Sequence, residues 1–400
     1  MSAGEFQPES ALVAGFVRES CRAVVVIPAR NEEGHILRAL DALAAQVDLH
    51  GEALPVGAIE VLVLLNNCTD RSGLAVAQWQ KRNRQFVLHA VERTLPEKIA
   101  HVGTARRWLM DTAWQRLARH DGRKAVILST DADTVVASDW VAQNLRAIHA
   151  GADAVGGVIE LMDGDLDSLP SGARTSYLRD REYQALVAEL EHWLDPQEGD
   201  AWPRHLEHFG ASLACTAEIY ERSGGLPPVK PLEDVAFVDA LRSVGARLRH
   251  DLKVVVRTSG RLDGRAEVGL SGQLRIWQQM SESEQPHLVQ SSEWLIHRFQ
   301  RLRDLRRLCV TGESMAPQIY PVAWQNRLID LQRRSLSTNQ LLLAIDCERL
   351  IYETFRGTLE DEIRSVIPRL RVALDFLRPS QPMNARRSSR VGPTHVIRVS

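Results

Sequence analysis

The sequence predicts an α/β protein built on a mostly parallel sheet with helices on both faces, followed by a helical C-terminal appendix. Three observations carry that expectation. Short, continuous runs of β-branched apolar residues are what strands covered on both sides require. Amphipathic stretches with apolar residues three and four apart lie between these runs, and after about Gly272 the text is almost wholly helical in pattern. A chain of 400 residues, 44% hydrophobic and 25% charged, can bury the core of one large α/β domain with additions.

AVVVIPA, Ala23 to Ala29, is the first strand, and Glu32 to Gln46 spaces its apolar residues as a helix. Glu60 to Asn67 repeats the strand pattern and LAVAQWQKR the helix. His101 to His120 is a helix leading into the strand text KAVILSTDAD. From Leu161 to Phe209 a loop rich in Asp, Ser, Pro and Gly precedes the helical stretch REYQALVAELEHWL, so 161–209 reads as an insertion. Strand text returns at Leu252 to Arg261. Residues 20–275 are thus expected as the α/β domain and 276–377 as the helical region, with Thr358 as the N-cap of its last helix. From Arg378 onward there are five arginines and no acids, which predicts a disordered tail over 378–400.

Composition excludes several classes. A net charge of −2 and a pI near 6.7 supply no global field for nucleic acid or an anionic membrane. Cys21, Cys68, Cys215, Cys309 and Cys347 are scattered, odd in number and form no C-x-x-C pair, so neither a disulfide framework nor a zinc ribbon is expected. The acidic N-terminus lacks a long apolar segment, and no window approaches a membrane helix, which leads to the expectation of a soluble, cytoplasmic protein without stable membrane insertion.

In open parallel sheets ligands bind beyond the carboxyl ends of the strands, and the residues there are polar in every case. The first strand runs into Pro28-Ala29-Arg30-Asn31-Glu32, the second into Asn66-Asn67-Cys68-Thr69-Asp70, and a later one into Asp131-Ala132-Asp133. In extended backbone Asp131 and Asp133 fall on one face about 6–7 Å apart, with Ala132 pointing away. Two carboxylates at that spacing repel unless a cation lies between them, and hard ions such as Mg2+ or Mn2+ take such oxygen ligands together with substrate phosphates. By itself the pattern is common. Asp163, Asp165 and Asp167 also alternate, but Ser168 and Arg174 stand where a calcium loop needs glycine and glutamate, so that run reads as a solvated loop.

The ordered series VVVIPARNEE, VLLNNCTD, DADT, GASLACTAEIYERSGGLP and LEDVAF, from about Ala23 to Leu274, resembles the inverting glycosyltransferases of family 2. PRHLEHFGASLA and VRTSGRLDGRA resemble a bacterial subgroup of them. The sequence departs from the family where Asn66-Asn67 replaces a frequent acidic pair and where Ser212 replaces a frequent Asn. The resemblance implies the GT-A type fold, a nucleotide-diphospho-sugar donor, a hydroxyl acceptor, a DXD motif with Mg2+ or Mn2+, and an insertion near the acceptor side. It implies that Pro28, Ala29, Arg30 and Glu32 line the nucleoside, with Asn67 and Asp70 reaching base and ribose; the alternative is that Asn67 and Asp70 only cap a turn. His101, Gly103 and Arg106 would approach the base or diphosphate from a helix start, where N–H groups and the dipole favour anions. Asp131, Ala132 and Asp133 would hold ribose and metal.

Glu233-Asp234 matches the family's catalytic carboxylate: Asp234 is expected as general base and Glu233 as its orienting neighbour or an acceptor contact, against the plainer reading of an acidic first helical turn. Gly224-Gly225 permits a turn with positive φ and a close approach to the sugar. His250 is a candidate further metal ligand, and Arg257, Arg261 and Arg265 could neutralise a leaving diphosphate. His205 and His208, three apart, lack a third soft ligand for zinc. Trp193 and Trp202 are core or acceptor-stacking residues. A homodimer through the C-terminal helices is a further expectation.

Other chemistries lack their residues. Gly210 to Ala214 misses the last glycine of a nucleophile elbow, and the first strand is followed by P-A-R-N-E where a nicotinamide enzyme needs G-x-G-x-x-G. The competing readings are a nucleotidyltransferase of related fold and a catalytically inactive glycan-binding relative.

Overall fold

The computed structural model describes residues 11–120, 125–264, 269–311, 338–344 and 347–378. Its main sheet has eight strands: β1 (Ala23–Ala29), β2 (Ile59–Asn66), β3 (Leu88–Arg93), β4 (Val126–Ser129), β5 (Thr134–Val136), β6 (Ala154–Leu161), β7 (Leu213–Thr216) and β8 (Leu248–Thr258). Their order is β3-β2-β1-β4-β7-β6-β8-β5. The first four strands in that order run parallel, β7 runs against both of its neighbours, β6 and β8 are parallel, and β5 closes the edge antiparallel to β8.

The helices are α1 (Ile36–Ala44), α2 (Ser72–Arg82), α3 (Val102–Leu117), α4 (Trp140–His149), α5 (Asp165–Ser168), α6 (Ser171–Leu194), α7 (Ala217–Arg222), α8 (Glu233–Ser243), α9 (Leu270–Glu282), α10 (Ser292–Thr311), α11 (Thr338–Ala344), α12 (Cys347–Thr354) and α13 (Ile363–Leu377). They cover both faces of the sheet. Val25 and Ile27 of β1 pack with α1, α2 and α4 on one face, while Val24 and Val26 pack with α3, α7 and α8 on the other. Every residue of β1 and β2 is therefore buried, and that is why their text is apolar without alternation from Ala23 to Ala29 and from Val61 to Leu65, with Glu60 buried against Arg116.

The helix α6 begins ten residues earlier than REYQALVAELEHWL suggests, because Ser171 to Asp180 continues the same helix. Its first half packs Ala173 and Tyr177 against Leu274 and Trp277 of α9. The second half packs Tyr183, Val187, Leu190 and Leu194 against α10, α11, α12 and α13. The insertion and the appendix thus share a core that neither could close alone. A two-stranded ribbon, β9 (Leu288–Gln290) with β10 (Glu360–Glu362), ties the ends of the appendix together. This ribbon corrects one expectation: α13 starts at Ile363 with Glu362 at its N-cap, and Thr358 lies outside it because 360–362 is drawn into the ribbon.

Trp193 packs at the edge of the appendix core, and Trp202 is 38% exposed and stacked on His192. Neither lines the cleft described below. Among the described residues no helix is long and apolar enough to cross a membrane. The tail from residue 379 onward, and the disorder expected of it, lie outside the described residues.

Candidate active site

A cleft of about 1010 Å3 opens at the carboxyl ends of β1, β4 and β8. Its floor is set by how these strands end. After β1, Asn31 takes a positive φ of 57°, which Asn tolerates better than most residues. The Asn31 Oδ1 accepts the Thr69 N–H at 2.7 Å, tying the loop after β1 to the loop after β2. The Glu32 N–H donates to Ser72 Oγ at 2.8 Å, and the buried Glu32 carboxylate accepts two bonds from the Arg261 guanidinium at 2.8 and 2.7 Å.

Asp131 and Asp133 both face this cleft, but the backbone between them is not extended. The Thr134 N–H donates to the Asp131 carbonyl at 3.2 Å and closes a turn that leads into β5. The turn sends each carboxylate to a different arginine. Asp131 accepts from Arg106 at 2.9 Å, and Asp133 pairs with Arg261 at 2.9 Å. The cations that hold the two aspartates together therefore come from α3 and from the segment after β8, far away in the chain. Burial, followed by the neighbouring Asp131 carboxylate, pushes the Asp133 carboxyl up to about 6 despite Arg261.

Arg106 is 3% exposed and donates to four acceptors: Asp131, Ser129 Oγ at 2.6 Å, the Gly210 carbonyl at 3.0 Å and Glu233 Oε1 at 3.2 Å. Its planar fork can serve them together, which a lysine ammonium cannot. Burial raises the Glu233 carboxyl above its ordinary value; Arg106 opposes this and Asp234 adds to it. Glu233 thus turns toward Arg106. Asp234 is oriented instead by backbone donors, the Gly210 N–H at 2.9 Å and the Val235 N–H at 2.9 Å.

Leu232, in the left-handed region with φ 66° and ψ 43°, starts α8 at this point and aims its first turn into the cleft. An L residue there costs about 1–2 kcal/mol. Gly103 makes that placement possible: a Cβ on it would lie 2.5 Å from the Val229 carbonyl and 3.2 Å from the Glu233 Cβ. Its contribution is this close approach, and it does not line the cleft itself. His101 is the N-cap of α3, accepts from the Thr104 N–H at 3.4 Å and lines the cleft. Burial and the Lys230 charge keep its ring below the ordinary histidine value.

The cleft brings together Pro28, Ala29, Arg30 and Glu32, then His101 and Arg106, then Asp131, Ala132, Asp133 and Arg261, and finally Glu233 and Asp234. Besides Gly103, four expected residues lie elsewhere. Asn67 exchanges both amide bonds with the Leu95 backbone at 2.9 Å, and Asp70 accepts from the N–H groups of Glu33 and Ser72 and from Ser72 Oγ at 2.6 Å, so the pair closes turns. Arg257 is half-exposed and pairs with Glu160 and Asp163. His250 is buried within β8, with Nδ1 2.7 Å from Asp200 and Nε2 3.2 Å from His208 Nδ1, so both ring nitrogens are occupied away from the aspartates. Arg265 lies outside the described residues.

His205 and His208 sit in irregular backbone rather than on one helical turn, and both rings pack on His250. Burial lowers each of them to about 3. Gly224 and Gly225 do take positive φ, of 78° and 77°, but they close around Arg107, whose Nη1 donates to the Gly224 and Leu226 carbonyls. Among the described residues no group of three or more His, Cys, Asp and Glu is arranged to hold a metal on its own.

Asn66 was missed. It is the last residue of β2, is 3% exposed, lines the cleft, and its Oδ1 has no partner. Strand alternation was the available signal, since Asn66 shares a face with Leu64 and Asn67 does not. The insertion supplies a far wall with Tyr177, Asp180, Arg181 and Gln184 of α6.

Residues 24–196 match the model of a family described as glycosyl transferase family 2. A comparison with curated proteins gave no match. Among solved structures, the chain is similar to the mannosyltransferase PcManGT from Pyrobaculum calidifontis, in complex with GDP-Man and Mn2+, at 18% identity over 86% of this chain and 90% of that one, with a TM-score of 0.43. It is also similar to S. aureus TarS 1-349 in complex with UDP-GlcNAc, at 13% identity over 82% of this chain and 91% of that one, with a TM-score of 0.42.

Proposed function

We propose, for a chain whose residues 24–196 match the model of glycosyl transferase family 2, transfer of a sugar from a nucleoside-diphosphate sugar to an acceptor hydroxyl by direct displacement with inversion. The observation that supports it is convergence: Asp131 and Asp133 at the end of β4 line the same cleft as Asp234 at the start of α8, about a hundred residues later. The family match ends before α8, so the role of Asp234 rests on this geometry.

The chain's own residues divide the work. Arg30, His101 and Arg261 face the part of the cleft where a diphosphate would lie, and Asn66 offers a buried acceptor at the end of β2. Asp234, its carboxylate fixed by the Gly210 N–H, takes the proton of the attacking hydroxyl, while the sugar's bond to the diphosphate breaks and its electron pair leaves with the diphosphate. Glu233 and Arg106 hold that carboxylate's helix against the β4 turn.

A divalent cation fits the donor set. Glu32, Asp131, Asp133, Glu233 and Asp234 bring five carboxylates into one cleft beside the buried Arg106 and the partly buried Arg261, and carboxylate oxygens are the donors such an ion takes. Asp131 and Asp133 are the residues that would hold Mg2+ or Mn2+, whose charge would offset that of the diphosphate; all-oxygen ligands shared with substrate phosphates suit these ions. The stereochemistry is tested by proton NMR of the first product formed from an α-linked donor. A β-linked product is expected, and an α-linked one would replace the single displacement with a two-step mechanism.

A further inference from the structure

Six large apolar side chains, Val102, Phe209, Val229, Leu232, Leu252 and Leu288, are 38% to 50% exposed and all line this one cleft. Exposed apolar residues scattered singly are ordinary, but their gathering from five separate segments at one mouth is the mark of a binding surface. Four of them lie on segments next to Asp234: Leu232 precedes it by two residues, Phe209 precedes the Gly210 whose N–H holds its carboxylate, and Val102 precedes the Gly103 whose missing Cβ lets the Val229 carbonyl and the Glu233 Cβ come close. The ion pairs of Arg261 with Glu32 and Asp133 mark the charged part of the lining, where a nucleoside diphosphate would lie.

Resting on the transferase reading above, we propose that the acceptor is an amphiphilic alcohol whose hydroxyl meets Asp234 while its apolar skeleton lies on Phe209, Leu232, Val229 and Val102. In the transfer the acceptor oxygen bonds to the anomeric carbon, its proton passes to Asp234, and the diphosphate leaves with the electrons of the broken bond. A purely polar sugar acceptor would leave these side chains in water and gain nothing from them.

The test is binding of methyl, butyl, hexyl and octyl β-glucoside, each below its micelle-forming concentration, to the full chain by calorimetry or ligand-observed NMR. Affinity should rise about two- to fourfold per methylene, as partial to full burial of each CH2 implies. Phe209→Ser with Leu232→Asn should flatten that rise. Both side chains are exposed and Asn tolerates the backbone of position 232, so the double variant should melt with the wild type. Equal affinity for the methyl and octyl glucosides, or an unchanged rise in the double variant, would overturn the proposal. Phenyl against hexyl β-glucoside tells the source: tighter hexyl binding indicates a lipid alcohol, tighter phenyl binding an aromatic one. A nucleotide-sugar titration on the same samples separates failures. Donor binding without a chain-length effect removes the amphiphilic acceptor and leaves the transferase; absent donor binding removes the transferase itself.

Discussion

Asp234→Asn is expected to bind the nucleotide-sugar donor as the wild type does and to transfer it 10²- to 10⁴-fold more slowly, the loss typical of a removed general base. The substitution keeps the shape, and the one amide oxygen can still accept the Gly210 N–H while the bond from the Val235 N–H is lost. It leaves Glu32, Asp131, Asp133 and Arg261 untouched, so the donor's surroundings persist. If Asp234 served only the acidic first turn of α8, the variant would show a change of some tenths of a kcal/mol in stability and nearly normal turnover. Measuring donor affinity and turnover on one preparation decides between the two.

The largest effect on stability is expected at Arg106. Arg106→Met would leave Asp131 and the buried Glu233 without their shared cation and Ser129 Oγ without the guanidinium donor, while the Gly210 carbonyl would keep only the Ser129 hydroxyl. Breaking such a buried pair by removing one partner costs about 3–5 kcal/mol. Because Glu233 is already pushed toward protonation by burial, adding Glu233→Gln to Arg106→Met should restore more than 1 kcal/mol of the loss. Urea unfolding of wild type, single and double variants measures this. No recovery in the double variant would mean that Arg106 acts through packing alone.

Much of this site was legible in the sequence, and the rest was hidden for identifiable reasons. β1 and β2 were visible because helices cover both faces, which makes the text continuously apolar. β5, with three residues, and β7, with four, are too short to show a pattern and are held by their neighbours in the sheet. Asp131 and Asp133 stood out, but the sequence around them contains no cation; their partners Arg106 and Arg261 are brought in only by tertiary folding. Asn66 rather than Asn67 lines the cleft because the chain turns at Asn67, and a shift of one residue moves a side chain to the other face. The start of α6 was obscured by Ser, Gly and Thr, poor helix formers that the contact with α9 holds in place. His250 looked like a candidate ligand until its strand placed it between Asp200 and His208.

Under the proposed function Asp131 and Asp133 would hold a divalent cation together with the donor's diphosphate. Calorimetric titration of a panel of nucleotide-sugars into wild type and Asp133→Asn, in Mn2+ and in EDTA, tests it most directly. The expected result is a donor that binds the wild type tightly in Mn2+, weakens at least tenfold in EDTA, and binds Asp133→Asn at that weakened level in both. Equal donor affinity in Mn2+ and EDTA, or an Asp133→Asn variant that keeps the full Mn2+ effect, would contradict it.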